Sequence, residues 1–355
     1  MRVVRVYGSS GAEGLKVELL PCPRPGPGQI LVRVDATTVI SSEVATREGV
    51  STAHLPLTLG NEFVGTVALA PGGELAPGTR VAGGYGGYGY IRDGAWAEYV
   101  LVDSADAFPV DTALDDAMAA AIPASFTAAS GSLKSLGDVR GRRLLIRGGT
   151  SGVGLAIATL AKSQGATIIA TTRDPAKIDR LRAHGADEVV IDGTDFPERV
   201  RALVPGGVDL AVDLLGLATL SSTMGALREH GVACLTGLLE DQERSIRSGL
   251  REDRDQNCFP HVLEFIPPGV RLTTGGVVST PRTPAMVQDW FSGVEAGRLQ
   301  MPVDSIFPLE EIMAANRRRK HPDAFGKVVL TISAEATRAA REQHADRFNL
   351  ASRPL

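Results

Sequence analysis

The feature that most constrains the fold is the run Leu144-Leu145-Ile146-Arg147-Gly148-Gly149-Thr150-Ser151-Gly152-Val153-Gly154, where an apolar stretch passes directly into a glycine-rich turn. Beyond it, Ala156, Ile157, Leu160 and Ala161 follow Val153 at the three, four, seven and eight spacing of one helical face, so a helix begins inside the turn. Strand, tight turn and helix amino terminus bring unpaired backbone N–H groups and the positive end of a helix dipole to one point, which suits a pyrophosphate. Against the pattern G-x-G-x-x-G the run offers Gly149, Ser151 and Gly154, with serine in the middle slot. Taken alone, the same residues also read as an ordinary tight turn. The surroundings decide between the two.

Those surroundings repeat the same texture. Near-continuous apolar segments, Thr167-Ile168-Ile169-Ala170, Glu188-Val189-Val190-Ile191, Val208-Asp209-Leu210-Ala211-Val212 and Val232-Ala233-Cys234-Leu235, alternate with helical stretches. That order implies an α/β doubly wound parallel sheet covered on both faces. The first hundred or so residues differ: short alternating segments such as Ile30-Leu31-Val32-Arg33-Val34 and Phe63-Val64-Gly65-Thr66-Val67 are separated by turn clusters, which reads as an all-β unit. Beyond Pro281 come a helix and a closing strand, Gly326-Lys327-Val328-Val329-Leu330, expected to return to the β unit. The resulting division is 1–118, 119–282, 283–334 and a charged tail, 335–355.

A second signal lies about 20 residues past the glycines. There an NAD enzyme usually places a carboxylate on the ribose 2′-OH, and this chain has Thr172 and Arg173. A carboxylate would repel a 2′-phosphate, whereas a hydroxyl and a guanidinium attract one. Lys177 adds charge from the next helix, which Asp174 caps and Pro175 opens. The expected cofactor is therefore NADPH; the bland reading makes Arg173 and Lys177 solvated charges at a helix start.

Charge and cysteine usage exclude other classes. A net charge of −4 provides no overall basic field for nucleic acid or anionic lipid, so Arg317-Arg318-Arg319-Lys320 reads as a solvated helix end. Cys22, Cys234 and Cys258 form no Cys-x-x-Cys pair, so neither a disulfide framework nor a four-cysteine zinc lobe is expected. The start, Met1 to Tyr7, alternates like a strand rather than a signal peptide, and no segment approaches a spanning length, so a cytoplasmic chain without membrane association is expected. Glu240 to Asn257 mixes both signs densely and reads as an exposed crossing or lid, or part of a subunit contact, followed by Phe259-Pro260-His261 and Phe265-Ile266-Pro267-Pro268 as pocket wall.

Several further stretches carry a resemblance: Pro25-Gly26-Pro27-Gly28-Gln29-Ile30, Gly60-Asn61-Glu62-Phe63-Val64-Gly65, Gly94-Ala95-Trp96-Ala97-Glu98-Tyr99-Val100, Ala119-Ala120-Ala121-Ile122-Pro123 with Thr127-Ala128, and Gly185-Ala186-Asp187. In this order and spacing the chain resembles the medium-chain dehydrogenase/reductase family over nearly all of residues 1–331. The resemblance implies a GroES-like β domain, a Rossmann domain, substrate bound in the cleft between them, and a homodimer with no nucleic-acid or membrane partner. It implies a cofactor set of Gly149, Thr150, Ser151, Gly152, Val153, Gly154, Thr172, Arg173, Lys177, Leu214, Thr236 and Gly237.

Zinc-dependent members bring a cysteine and a histidine where this chain has Ser41-Ser42-Glu43 and Gly60-Asn61-Glu62, so no metal is expected. The zinc-free branch reduces quinones and conjugated carbonyls, including enoyl thioesters. Its quinone oxidoreductases carry an Asn and a Tyr where this chain has Ile40 and Ala45. Candidate cleft residues are Ser42, Ala45 and Asn61. Thr127 matches a position close to the nicotinamide, though a threonine there also reads as a helix cap. Tyr88, in the loop Gly83 to Tyr90, is a candidate donor to a developing oxyanion, or else an aromatic anchor of a surface loop. The expected activity is an NADPH-dependent, zinc-independent reductase. The missing Asn and Tyr leave open an enzyme dedicated to one biosynthetic intermediate, such as an imine, and a non-catalytic NADPH-binding sensor.

Overall fold

The computed structural model describes residues 1–8, 15–49, 53–239, 266–276 and 282–332. The charged stretch from Glu240, the Phe259-Pro260-His261 segment, Phe265 and the 335–355 tail lie outside the described residues. The chain divides into two compact units. One comprises Met1–Ala124, Arg282–Gly297 and Met301–Leu355, and the other Ser125–Pro281 with Arg298–Gln300. Among the described residues no helix is long and apolar enough to cross a membrane.

In the first unit, β1 (Arg2–Val6) pairs antiparallel with β2 (Leu15–Leu19) and with β4 (Leu57–Thr58). The main sheet is built on β3 (Gln29–Val39), whose apolar residues Ile30, Val32 and Val34 are buried. On one edge β3 pairs with β5 (Glu62–Leu69), then β6 (Arg80–Gly84) and β8 (Ala107–Pro109). Its first half, Gln29 to Arg33, pairs with β7 (Tyr99–Asp103), and its second half, Ala36 to Val39, pairs with the late strand β16 (Lys327–Thr331). The expected return of the closing segment is thus present. A strand of 11 residues is long enough to serve two partners in series.

One buried carboxylate secures that return. Glu62, 1% exposed, accepts at Oε1 from Lys327 Nζ and Thr38 Oγ1 and at Oε2 from the Ala124 N–H at 2.8 Å. The helix α1 (Ser41–Arg47) follows β3. The short α2 (Asp116–Ala120) packs on β3, β5 and β16, so the division falls at Ala124 and not at 118.

Among the described residues, the second unit is built on a six-stranded parallel sheet in the order β11-β10-β9-β12-β13-β14. Its strands are β9 (Arg143–Arg147), β10 (Thr167–Thr172), β11 (Glu188–Ile191), β12 (Val208–Asp213), β13 (Leu227–Leu235) and β14 (Arg271–Thr274). Helix α3 (Pro123–Leu136) precedes β9, and α4 (Gly152–Ser163) and α5 (Ile178–Ala183) connect β9, β10 and β11. The return passes through α6 (Phe196–Leu203) and α7 (Leu217–Gly225), which bury Phe196, Val200, Leu220 and Met224 against Leu145, Ile169 and Val190. Strand order reverses between β9 and β12, and in such sheets ligands bind beyond the carboxyl ends at that switch point.

The first unit closes with α8 (Pro284–Glu295), β15 (Val303–Pro308) and α9 (Ile312–Lys320) before β16. The basic end of α9 corrects the expectation of a simply solvated helix end. Arg318 grips both oxygens of Asp304 at 2.6 and 2.8 Å, Arg319 donates to Ser41 Oγ at 2.5 Å, and Lys320 to Glu48 at 2.7 Å.

Removing one partner of a buried ion pair strands a charge and costs about 3–5 kcal/mol. Lys327→Met should therefore lower the denaturation midpoint of the β unit, and Glu62→Gln added to it should restore much of the loss. Both tryptophans, Trp96 and Trp290, lie in this unit, so their fluorescence reports its unfolding selectively.

Candidate functional site

The glycine-rich turn has the geometry its sequence implies. Gly148 has φ +89°, a left-handed conformation that favours glycine, and its N–H donates to Thr171 Oγ1 at 3.1 Å. A Cβ on Gly154 would fall 2.5 Å from the Gly148 carbonyl oxygen, so only glycine lets α4 approach the turn. Ser151 is the N-cap: its Oγ accepts from the Gly154 N–H at 3.1 Å and donates to the Gly148 carbonyl at 2.8 Å. The N–H groups of Gly152 and Val153 begin the helix, where intrahelical partners are lacking, and Thr150 lies partly exposed before them.

At the end of β10 the structure separates three residues that the sequence grouped. Arg173 is exposed and has no hydrogen-bond or ion-pair partner among the described residues. Asp174 instead caps the following turn by accepting from the Ala176 N–H at 3.0 Å. Thr172 is buried, and its hydroxyl closes a local turn, accepting from the Asp174 N–H at 3.1 Å. Lys177 is 7% exposed, so it is not a solvated charge at the helix start.

The later strand ends are equally organised. Asp213, fully buried, accepts from the N–H groups of Leu215 and Gly216 at 2.8 and 3.1 Å and from the hydroxyls of Thr219 and Thr223 at 3.0 and 2.6 Å. Leu214 is buried at the end of β12, and a Cβ on Gly237 would fall 2.6 Å from the Leu214 carbonyl oxygen. Thr236 Oγ1 lies 2.8 Å from Ser132 Oγ of α3. Thr127 lies inside α3 and is 1% exposed, so it is not a helix cap. Arg147 and Asp192, which sequence reasoning did not assign together, form a buried bidentate pair at 2.7 and 3.0 Å. The signal was an arginine ending an otherwise apolar strand.

In the β unit, the candidate substrate residues gather around Glu43. Its carboxylate reaches back to the Ile40 N–H at 2.8 Å, tightening the start of α1, and accepts from the Asn61 N–H at 2.9 Å. The Asn61 carbonyl accepts from the Tyr85 N–H at 2.8 Å. Its backbone is thus held on both sides, while its buried Oδ1 has no partner among the described residues. Ala45 is buried on α1. Ser42 is exposed, and its carbonyl accepts from Thr46 Oγ1 at 3.0 Å. Tyr88 is corrected from oxyanion donor to anchor. Its ring is 1% exposed, and its hydroxyl sits between Asp106 Oδ2 at 3.1 Å and the Asp103 N–H at 2.9 Å.

Burial pushes the Glu43 carboxyl up to about 8, outweighing the Ile40 and Asn61 N–H groups that favour its ionised form. Its folded value thus lies above the ordinary 4.5, so its contribution to stability is complete below about 4.5 and is lost as pH rises through about 8. The melting temperature read by tryptophan fluorescence should fall over that window, and Glu43→Gln should flatten the fall. Parallel slopes for the two proteins would contradict it.

The donor set does not fit a zinc ion. Ser42 and Asn61 are poor ligands, Glu62 is engaged by Lys327, Thr38 and Ala124, and no group of three metal-binding side chains occurs among the described residues.

Residues 26–112 match the alcohol dehydrogenase GroES-like domain, and residues 152–252 match the family described as zinc-binding dehydrogenase; together these cover more than half of the chain. The chain belongs to the medium-chain dehydrogenase/reductase family, with its GroES-like and Rossmann-type domains. Among curated proteins it is 32% identical over 323 residues to the phthioceranic/hydroxyphthioceranic acid synthase of Mycobacterium tuberculosis. That match takes in 87% of this chain and 14% of the synthase, so the chain spans a small part of the curated relatives it first matches. Among solved structures it is similar to an NAD-dependent alcohol dehydrogenase, with TM-score 0.79, 29% identity, and 94% of this chain and 100% of that one covered. It is also similar in fold to a mycobacterial protein complexed with NADPH, with TM-score 0.76, 24% identity, and 93% and 99% covered.

Proposed function

We propose that this oxidoreductase is a zinc-independent reductase that uses NADPH to deliver hydride to a conjugated carbonyl, as in an enone or enoyl thioester, or to a quinone. The observation that carries the cofactor choice is the exposed Arg173 guanidinium, unpartnered among the described residues and standing where an NAD enzyme usually presents a carboxylate. The Gly152 and Val153 N–H groups would hold the pyrophosphate, Arg173 the 2′-phosphate, and the Leu214 and Thr236-Gly237 backbones the rest of the dinucleotide. The Thr127 hydroxyl would meet the nicotinamide ring. When bound, the cofactor supplies the hydride. The developing oxyanion then needs a hydrogen-bond donor, which the Asn61 carboxamide provides in this reading.

The loss of the usual Asn and Tyr at Ile40 and Ala45 favours a second reading, a reductase dedicated to one pathway intermediate, including an imine. A chain that held NADPH without turnover would be the remaining alternative. Pairing into a homodimer through the β14 edge of the parallel sheet belongs to the same proposal and is checked by the mass in solution from light scattering.

NADPH consumption against quinones, enones, enoyl thioesters and cyclic imines, with NADH in parallel, tests the reading. Turnover that favours NADPH supports it, and preference for NADH overturns the cofactor assignment. Arg173→Ala should weaken NADPH about tenfold or more, the scale of one lost charged hydrogen bond, and leave NADH nearly unchanged.

A further inference from the structure

Asp192 follows β11 directly, and its N–H donates to the Thr172 carbonyl at 2.9 Å, which places it one residue from Arg173, the group that would meet a 2′-phosphate. An ionised carboxylate there would oppose the phosphate. Its side chain, however, is held by Arg147 at the end of β9. Nε donates to Oδ2 at 3.0 Å and Nη2 to Oδ1 at 2.7 Å, so both oxygens are engaged and the carboxylate charge is paired. The same guanidinium stacks on Phe196 at 3.9 Å from the ring centroid. Through Nη1 it also donates to the Thr219 carbonyl at 2.8 Å, Ser222 Oγ at 2.5 Å and Thr223 Oγ1 at 3.1 Å. One side chain therefore ties the carboxyl ends of β9 and β11 to α7. The side chains of Arg147 and Asp192 are 5% and 9% exposed.

A buried ion pair is a weak source of stability, since well-packed apolar side chains often replace one without loss. Its position matters more here than its strength. We infer that Arg147 is a specificity-determining residue of the nucleotide site: by neutralising and fixing Asp192 next to Thr172, it makes the adenosine end of the site able to accept a 2′-phosphate. This rests on the NADPH reading above. It assigns to a residue outside the glycine motif the removal of a negative charge that would otherwise favour NADH.

Dissociation constants for NADPH and NADH, measured by fluorescence titration on the full chain, test it through their ratio. The wild-type ratio comes first: preference for NADH there would defeat the cofactor reading itself. Given a wild-type preference for NADPH, Arg147→Met should weaken NADPH by about tenfold relative to NADH, because an unpaired carboxylate then faces the phosphate. Arg147→Met combined with Asp192→Asn should bring the ratio back towards wild type. Asp192→Asn alone, which strands no carboxylate and serves if Arg147→Met does not fold, should shift the ratio further towards NADPH. Equal losses for both cofactors in Arg147→Met, or an unmoved ratio in Asp192→Asn, would show that the pair only supports the fold.

Discussion

The buried carboxylate of Glu62 is the point on which the β unit depends. It gathers a lysine from the closing strand, a hydroxyl from the long central strand and the N–H of Ala124, joining segments far apart in sequence. A buried charge so surrounded has no cheaper alternative arrangement, since loss of any donor leaves it under-satisfied in a low-dielectric interior. Strand pairing between β16 and β3 brings the late segment back, and the ion pair selects where it settles. The neighbouring Glu43 performs a related task with backbone N–H groups instead of a cation, so burial drives it towards its protonated form.

In the nucleotide unit, close approach sets the geometry. No side chain fits at Gly154 against the Gly148 carbonyl, nor at Gly237 against that of Leu214. These contacts bring backbone to backbone at the carboxyl edge of the sheet, where a flat, charged ligand needs N–H groups rather than side chains. Beneath that edge lie two buried polar groups of opposite sign. Asp213 collects donors from the start of α7, and Arg147 donates to acceptors in the same helix. Both hydrogen-bond with Thr223, so the loop ends are cross-linked at a level that hydrophobic packing alone would leave free to slide.

The expectations that needed correction share a cause. For Tyr88, Thr172 and Lys177 the sequence shows what the functional groups can do, and the structure shows what surrounds them. A phenol in a glycine-rich loop looks available, yet the loop folds so that its ring is buried and its hydroxyl meets Asp106 and Asp103. A threonine hydroxyl at a strand end looks available to phosphate, yet it donates to the Asp174 carbonyl at 3.2 Å and accepts from the Asp174 N–H at 3.1 Å. Local hydrogen bonds of this kind are short-ranged in sequence but depend on turn geometry that composition does not reveal.

The sequence by itself determined the parallel sheet, the all-β texture of the first segment, and the glycine turn with a helix starting inside it. These follow from periodicity and from the steric demands of single residues, which act over a few positions. Only the tertiary structure decided that Lys327 belongs to Glu62, that Arg147 belongs to Asp192, and that Asn61 keeps a buried oxygen without a partner among the described residues. Such partners are separated by tens to hundreds of residues, and their pairing is set by which strand ends the sheet brings side by side. No local pattern encodes that adjacency.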